Sequence, residues 1–261
     1  MAYRAHFLNV GCADCTIFEA DDYIVMIDCG YRRIGQNVIR PISILNYLKN
    51  TIGKPYVNLL IISHPHHDHY LGIGELIGKV NVQEVWGTPY KRRKGDPSLS
   101  YDEWSEYINF IETLVPSPQH RFVCYKGARK IFDKLEFIVL GPRLNINQFE
   151  TRDVHDACLV IWVSTPTNQF IICGDSSDYE LSQIIKDWNM SSCTILRASH
   201  HGSINGANID FIKAVSPRDT VISTQSGIID NIPNYVAIKR YQSHSQSVFR
   251  TDLKGTLVAP I

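Results

Sequence analysis

The sequence predicts an α/β layered domain, and three observations carry that prediction. Short β-branched runs recur along its 261 residues, amphipathic stretches of helical spacing separate several of them, and no repeat or low-complexity linker divides the chain. A single domain over 1–261 follows, since that length lies within reach of one hydrophobic core. Taken in order, residues 23–27 read as a strand, 41–50 as a helix, and 57–62 and 82–86 as strands. The clearest helix is 101–115, where Trp104, Tyr107, Ile108, Ile111, Leu114 and Val115 share one face. Ser100 and Glu103 supply its capping box. Strands follow at 134–140, 158–163 and 170–173. Ser177 and Glu180 then open a helix at 179–188. A strand at 193–197, a helix at 204–215 with Ser203 as its cap, and a strand at 220–223 complete the pattern. Residues 90–118 read as an insertion carrying the basic run Lys91-Arg92-Arg93-Lys94.

Composition narrows the function classes. Lys and Arg number 26, as do Asp and Glu, so the net charge of zero argues against indiscriminate polyanion binding and leaves only a local basic patch. Residues 1–18 lack an apolar signal core. The longest uncharged stretch, 157–174, is interrupted by Thr165-Pro166-Thr167-Asn168-Gln169 and reads as two strands around a turn. A cytoplasmic protein without a membrane span is expected. The seven cysteines, an odd number, lie partly in apolar runs where Cys packs as a small hydrophobe, which suits a reducing compartment. Cys12-x-x-Cys15 has no second pair to close a Cys₄ site and reads as packing.

The chemistry gathers where strands end. Seven of the ten histidines lie in three short segments: His64, His66, His67 and His69; His155; and His200 with His201. The first directly follows the 57–62 strand and spells H-x-H-x-D-H through His64, His66, Asp68 and His69, a pattern too specific for a solvated loop. His67 sits between those positions and is expected to point away. His6, His120 and His244 fall outside the pattern and read as surface or hydrogen-bonded residues.

On these residues the sequence resembles the metallo-β-lactamase-fold hydrolases. Within them it is most similar to the ComEC-like branch, which holds the hydrolase domain of a DNA-uptake competence protein and a phosphorylcholine esterase. Phe7-Leu8-Asn9-Val10-Gly11-Cys12-Ala13-Asp14-Cys15 is similar to that branch's opening, and Ile27-Asp28-Cys29-Gly30 to its next landmark. Cys173-Gly174-Asp175, Ser199-His200-His201-Gly202-Ser203 and Phe249-Arg250-Thr251-Asp252-Leu253-Lys254-Gly255 match later ones in order. The resemblance implies a four-layer αββα sandwich with a two-metal site at one edge of the sheets. It places His64, His66 and His155 on one ion, Asp68 and His69 with one of His200 or His201 on the second, and Asp175 between them. Such ligands suit two divalent ions, Zn²⁺ first, with Mn²⁺ or Fe²⁺ also compatible.

The implied activity is a binuclear hydrolase, foremost a phosphodiesterase or nuclease acting on DNA, RNA or a nucleotide through a metal-bridging hydroxide. Asp68 would ligate a metal and orient the nucleophile. His200 and His201 would supply one ligand and one group that contacts the phosphoryl oxygen or protonates the leaving group, in either order. Asp14 and Asp28 read as groups that fix ligand histidines or loop amides, with a turn-capping role equally open to Asp14. Lys91-Arg92-Arg93-Lys94 could meet phosphates, and Tyr90 and Tyr101 could stack on bases. Two departures from the branch stand out: His155 where Asn is frequent, and Asn231-Ile232-Pro233-Asn234-Tyr235 where a Tyr-Gly-His-Pro stretch is usual. The second removes a substrate-contacting His. The alternatives are hydrolysis of another ester, such as a phosphorylcholine ester or lactone, and a metal-bearing module whose activity needs a partner protein. Di-iron reductases of the same fold resemble H-x-E-x-D, and His66 at the Glu position sets that chemistry aside.

Overall fold

The computed structural model describes residues 3–148 and 153–261. Six strands come first: β1 (Arg4–Phe7), β2 (Thr16–Ala20), β3 (Tyr23–Ile27), β4 (Leu59–Ile62), β5 (Val85–Gly87) and β6 (Arg121–Val123). Seven more follow: β7 (Arg129–Phe132), β8 (Leu135–Gly141), β9 (Val160–Ser164), β10 (Gln169–Ile172), β11 (Ile195–Arg197), β12 (Asp219–Ile222) and β13 (Ser247–Arg250). They form a second sheet in simple sequence order, while β14 (Leu257–Pro260) returns to the first, whose order is β6-β5-β4-β3-β2-β1-β14.

Alternation along the strands dictates the layers. In β3 and β4, Val25, Ile27, Leu59 and Ile61 point into the core between the sheets, whereas Ile24, Met26, Leu60 and Ile62 point outward into a separate core. Phe18, Phe137 and Phe170 meet edge to face in the middle layer, with ring centroids 5.6 and 5.5 Å apart. Strands buried on both faces need helices on both outer sides. Helix α1 (Tyr101–Leu114) covers the first sheet with Tyr107 and Ile111. The second is covered by α2 (Asp178–Asp187), α3 (Ile209–Val215) and α4 (Tyr235–His244), which bury Leu181, Ile184, Phe211, Ile212, Val215, Ala237 and Tyr241. The result is the αββα sandwich.

Several local expectations need correction. The 41–50 helix begins at Ile44, capped by Ser43, and continues to Ile52 with π-helical pitch over Tyr47–Ile52. Ser203 does not cap the following helix: Asn208 does, accepting from the Phe211 amide at 2.9 Å, because Gly206, at φ +114°, turns the chain first. The 82–86 strand divides into Asn81–Val82, paired with Tyr56–Val57 in a small separate ladder, and β5. Strands β1, β2, β6, β7, β13 and β14 carry weaker β-branched patterns than those read from the sequence.

Candidate metal centre

Most of the site residues follow the C-terminal ends of parallel strands, β3 and β4 in one sheet and β10 and β11 in the other, while Asp14 comes from the loop between β1 and β2 and His155 from the turn ahead of β9. Asp28, just past β3, holds the loop after β4: it accepts the Ser63 amide at 2.7 Å and the Ser63 hydroxyl at 2.8 Å, and lies 2.8 Å from His69 Nδ1. From there the chain runs extended through His66 and coils into the one-turn helix His67–Tyr70. His64 is wholly buried, its Nε2 3.1 Å from His66 Nδ1. His155 completes this cluster, with ring centroids 5.2 Å from His64 and 4.9 Å from His66.

Among the described residues, three donor groups have atoms close enough to hold an ion, all within 4.8 Å of one another: His64, His66 and His155; Asp14, His69, Asp175 and His201; and His155, Asp175 and His200. Asp175 belongs to two of them. The doublet His200-His201 is held at φ 49° and 52°, a left-handed conformation that is strained for non-glycine residues and directs the two rings apart. His201 is buried among Asp14, His69 and Asp175, while His200 is partly exposed and stacks on His155 at 4.5 Å. The sequence left these two histidines interchangeable. Asp68 stands outside the three groups: one of its oxygens accepts from the Arg32 guanidinium and lies 3.5 Å from His201 Nε2. Asp14, read as a loop-fixing group, joins the second group and is also gripped by Arg197.

The donors fit a divalent ion. His69 Nε2, His201 Nε2 and Asp175 Oδ1 are buried without a hydrogen-bond partner, although His69 Nε2 and Asp175 Oδ1 are 3.2 Å apart. Converging nitrogen and carboxylate lone pairs left unsatisfied in a buried space are what a cation would satisfy. Burial, reinforced by neighbouring imidazoles, holds the His64 pKa well below its ordinary value, so the ring is neutral and able to donate a lone pair. Burial also pushes His66 down, and His200 down to about 4.

Several contacts around these histidines and carboxylates have no counterpart in the sequence pattern. Asp153 lies 2.7 Å from His155 Nδ1 and is held down to about 2 against its burial by that ring. Ser98, in the 90–118 segment, presents its carbonyl to His66 Nε2 at 2.9 Å. Glu103 does not close the expected capping box: Ser100 accepts its amide, but its carboxylate takes the His67 amide at 2.8 Å. With Glu106 it draws the His67 ring away from the other histidines. Arg32 carried no sequence signal, and Arg197 only that of a charge closing an apolar strand.

These side chains border a cavity of about 380 Å³, lined by Arg32, Arg33, Asp68, His155, His200, Ile229 and Ile232 among others. The run Lys91-Arg92-Arg93-Lys94 lies outside it, with Arg92 donating to the Leu99 carbonyl and sitting over the Tyr101 ring. Tyr90 is buried on Asp96. His6 is buried against Glu19 and Tyr47, and all seven cysteines are buried and free. Among the described residues no helix is long and apolar enough to cross a membrane.

The chain belongs to the metallo-beta-lactamase superfamily, whose family model matches residues 9–225. It is 26% identical over 123 residues to ComE operon protein 3 of Bacillus subtilis (strain 168), a match covering 47% of this chain and 15% of that protein. The chain thus spans a small part of that relative's length, and the similarity supports the ComEC-like branch. Among solved structures, CmlA, a diiron beta-hydroxylase from Streptomyces venezuelae, aligns with TM-score 0.60 at 12% identity, over 100% of this chain and 54% of its own. Tm1679, a metal-dependent hydrolase of the beta-lactamase superfamily, aligns with TM-score 0.57 at 15% identity, over 99% of both chains. These likenesses establish the fold. Superfamily membership supports a metal-dependent hydrolase, and the clustered His and Asp donors supply a site for divalent metal.

Proposed function

We propose that the protein is a binuclear phosphodiesterase acting on a nucleic acid or nucleotide. The observation that carries this reading is Asp175, which belongs at once to the donor group of His69 and His201 and to that of His155 and His200. One carboxylate shared by two donor groups suits two adjacent ions. In this reading His64, His66 and His155 would hold one ion and His69 and His201 the other, with Asp175 shared between them and Asp68 standing beside His201. When bound, a pair of divalent ions supplies a nucleophile from water near neutral pH and stabilises charge on the attacking and leaving oxygens. The chain's own residues do the rest. Asp28 fixes His69 and Asp153 fixes His155, so their free ring nitrogens face inward. Arg32 and the partly exposed His200 line the cavity, where they would contact the phosphoryl oxygens. Ile229 and Ile232 add an apolar patch to the lining of the same cavity.

The test pairs elemental analysis of the purified protein with hydrolysis of bis-p-nitrophenyl phosphate by the wild type and Asp175→Asn. About two ions per chain, with turnover lost in the variant, supports the reading. Two ions without turnover moves the assignment to another ester or to a partner-dependent activity. Fewer than one ion after reconstitution with Zn²⁺ and Mn²⁺ removes the binuclear site from consideration.

A further inference from the structure

We infer that the site takes a small phosphodiester with one flat, weakly polar arm, its phosphoryl group held by Arg32 and that arm laid against Ile229 and Ile232. The inference rests on the phosphodiesterase reading and names the substrate class of the same cavity.

The space sets the size. At about 380 Å³ the cavity lies near the small end of ligand sites, which run from roughly 300 to 1,000 Å³, and suits a ligand of one nucleotide. A nucleic-acid strand needs a longer cationic track. The basic run at 91–94 lies outside the cavity, and the chain carries no net charge, so repeated phosphate contacts are not provided.

The charges place the phosphoryl group. Arg32 and Arg33 both reach the cavity from the small hairpin formed by Arg32–Ile34 and Asn37–Ile39. Arg33 is spent on Glu106, to which both its terminal nitrogens donate, at 2.8 and 2.9 Å. Arg32 donates one nitrogen to Asp68, and its side chain remains about one-third exposed. A guanidinium carries five N–H donors in a planar fork, so Arg32 can bind a phosphoryl oxygen while still touching Asp68.

The apolar part of the lining places the arm. Ile229 and Ile232 pair across a tight turn, with the Ile232 amide donating to the Ile229 carbonyl at 3.2 Å. The Asn234 amide donates to the Gly202 carbonyl at 2.8 Å and anchors this loop beside His201. The stretch presents two half-buried aliphatic side chains to a chamber otherwise lined by charged and polar groups. An apolar wall in such a chamber gains stability when a flat, poorly hydrated ring covers it.

The experiment is calorimetry of the metal-loaded protein with AMP, the phosphomonoester that hydrolysis of such a diester would release, and with inorganic phosphate, run beside bis-p-nitrophenyl phosphate turnover. AMP should bind at least about tenfold tighter than phosphate. Arg32→Gln should weaken both ligands about tenfold, and Arg32→Lys should weaken them less. Ile229→Ser with Ile232→Ser should abolish the preference for AMP while phosphate affinity stays within about twofold. Circular dichroism checks the folding of that double variant, and Ile232→Ala alone reports the same loss in part if it fails to fold. Equal affinity for AMP and phosphate in the wild type, or no effect of Arg32→Gln, overturns the inference. Turnover with equal affinities sinks this inference alone, whereas an intact AMP preference without any phosphodiester turnover sinks the phosphodiesterase reading and leaves the two binding walls standing.

Discussion

The guanidinium of Arg197, with no exposure to solvent, grips the carboxylate of Asp14, a residue 183 positions earlier in the chain. The same side chain donates to the Gly174 carbonyl at 2.6 Å and lies 3.3 Å from His201 Nδ1 and 4.0 Å from Asp175. One buried cation thus joins the loop after β1 to the end of β11 and lies behind both inward-facing groups, His201 and Asp175. Burial already raises the Asp14 pKa, and removing Arg197 takes away its main counter-charge, so Arg197→Gln should cost about 3–5 kcal/mol in urea unfolding. The double variant Asp14→Asn with Arg197→Gln should lose clearly less than the sum of the two single changes. Additive losses would show that the pair is not coupled.

Gly30 makes an approach that no other residue allows. A Cβ there would lie 1.6 Å from the Asp68 carbonyl oxygen. Around this point the Asp14 amide donates to the Asp68 carbonyl at 2.9 Å and the Gly30 amide to the Asp14 carbonyl at 2.8 Å. Gly30→Ala must therefore push the β3 loop away from the one-turn helix that carries Asp68 and His69. We expect a loss of about 3 kcal/mol or more together with weakened metal retention. Wild-type thermal stability with full metal content in the variant would show that this backbone contact is dispensable.

The histidines were legible because H-x-H-x-D-H is a dense local pattern at the end of an apolar run, and Asp175 because it closes another. The layered fold was legible for a similar reason, since strands buried on both faces, such as β4 and the Phe170–Ile172 part of β10, are continuous apolar runs. The edge strands β6 and β7 were not: Phe122, Val123 and Ile131 are exposed there, so the buried-strand signal is absent. Arg32, Asp153 and Glu103 escaped because their meaning lies in a partner distant in space or in a cap that the site diverts. Glu103 shows this most clearly, for its spacing from Ser100 satisfies the capping rule while its carboxylate serves His67. The division between His200 and His201 could not be read from adjacent identical residues; it arises from two consecutive left-handed backbone conformations.

Asp28 holds three groups at once, the Ser63 amide, the Ser63 hydroxyl and His69 Nδ1. Its conversion to Asn replaces one acceptor oxygen by a donor, so at least one of these contacts is lost and His69 is free to rotate. Asp28→Asn should weaken metal binding by roughly 10- to 100-fold, measured by competition with a chromogenic chelator. Unchanged affinity would mean that His69 either is not a ligand or needs no orienting partner.

Chelation should lower stability as well as activity. Four buried polar atoms of the inner cluster, on Asp14, His69, Asp175 and His201, have no hydrogen-bond partner, and an ion that satisfies them binds the folded chain alone. At a free metal concentration near 100 times its Kd, folding gains about 2.7 kcal/mol. The thermal midpoint should therefore fall on addition of EDTA and recover with Zn²⁺ in excess. A midpoint indifferent to both would mean that the donors carry no ion in solution.

Glu180 predicts a pH dependence of stability remote from the donors. Burial, with Asp156 nearby, pushes its carboxyl up to about 8. The folded chain therefore keeps a proton that the unfolded chain gives up near 4.5, the ordinary value of this group. The contribution to stability is fully present below that ordinary value, falls as the pH rises between the two values, and is lost above about 8. Glu180→Gln keeps the shape without the charge, so its stability relative to wild type should increase from pH 5 to pH 8.5, by up to about 4 kcal/mol. Urea unfolding at those two pH values measures the change directly. A gap between variant and wild type that is the same at both would show that Glu180 ionises in the folded chain as it does in the unfolded one.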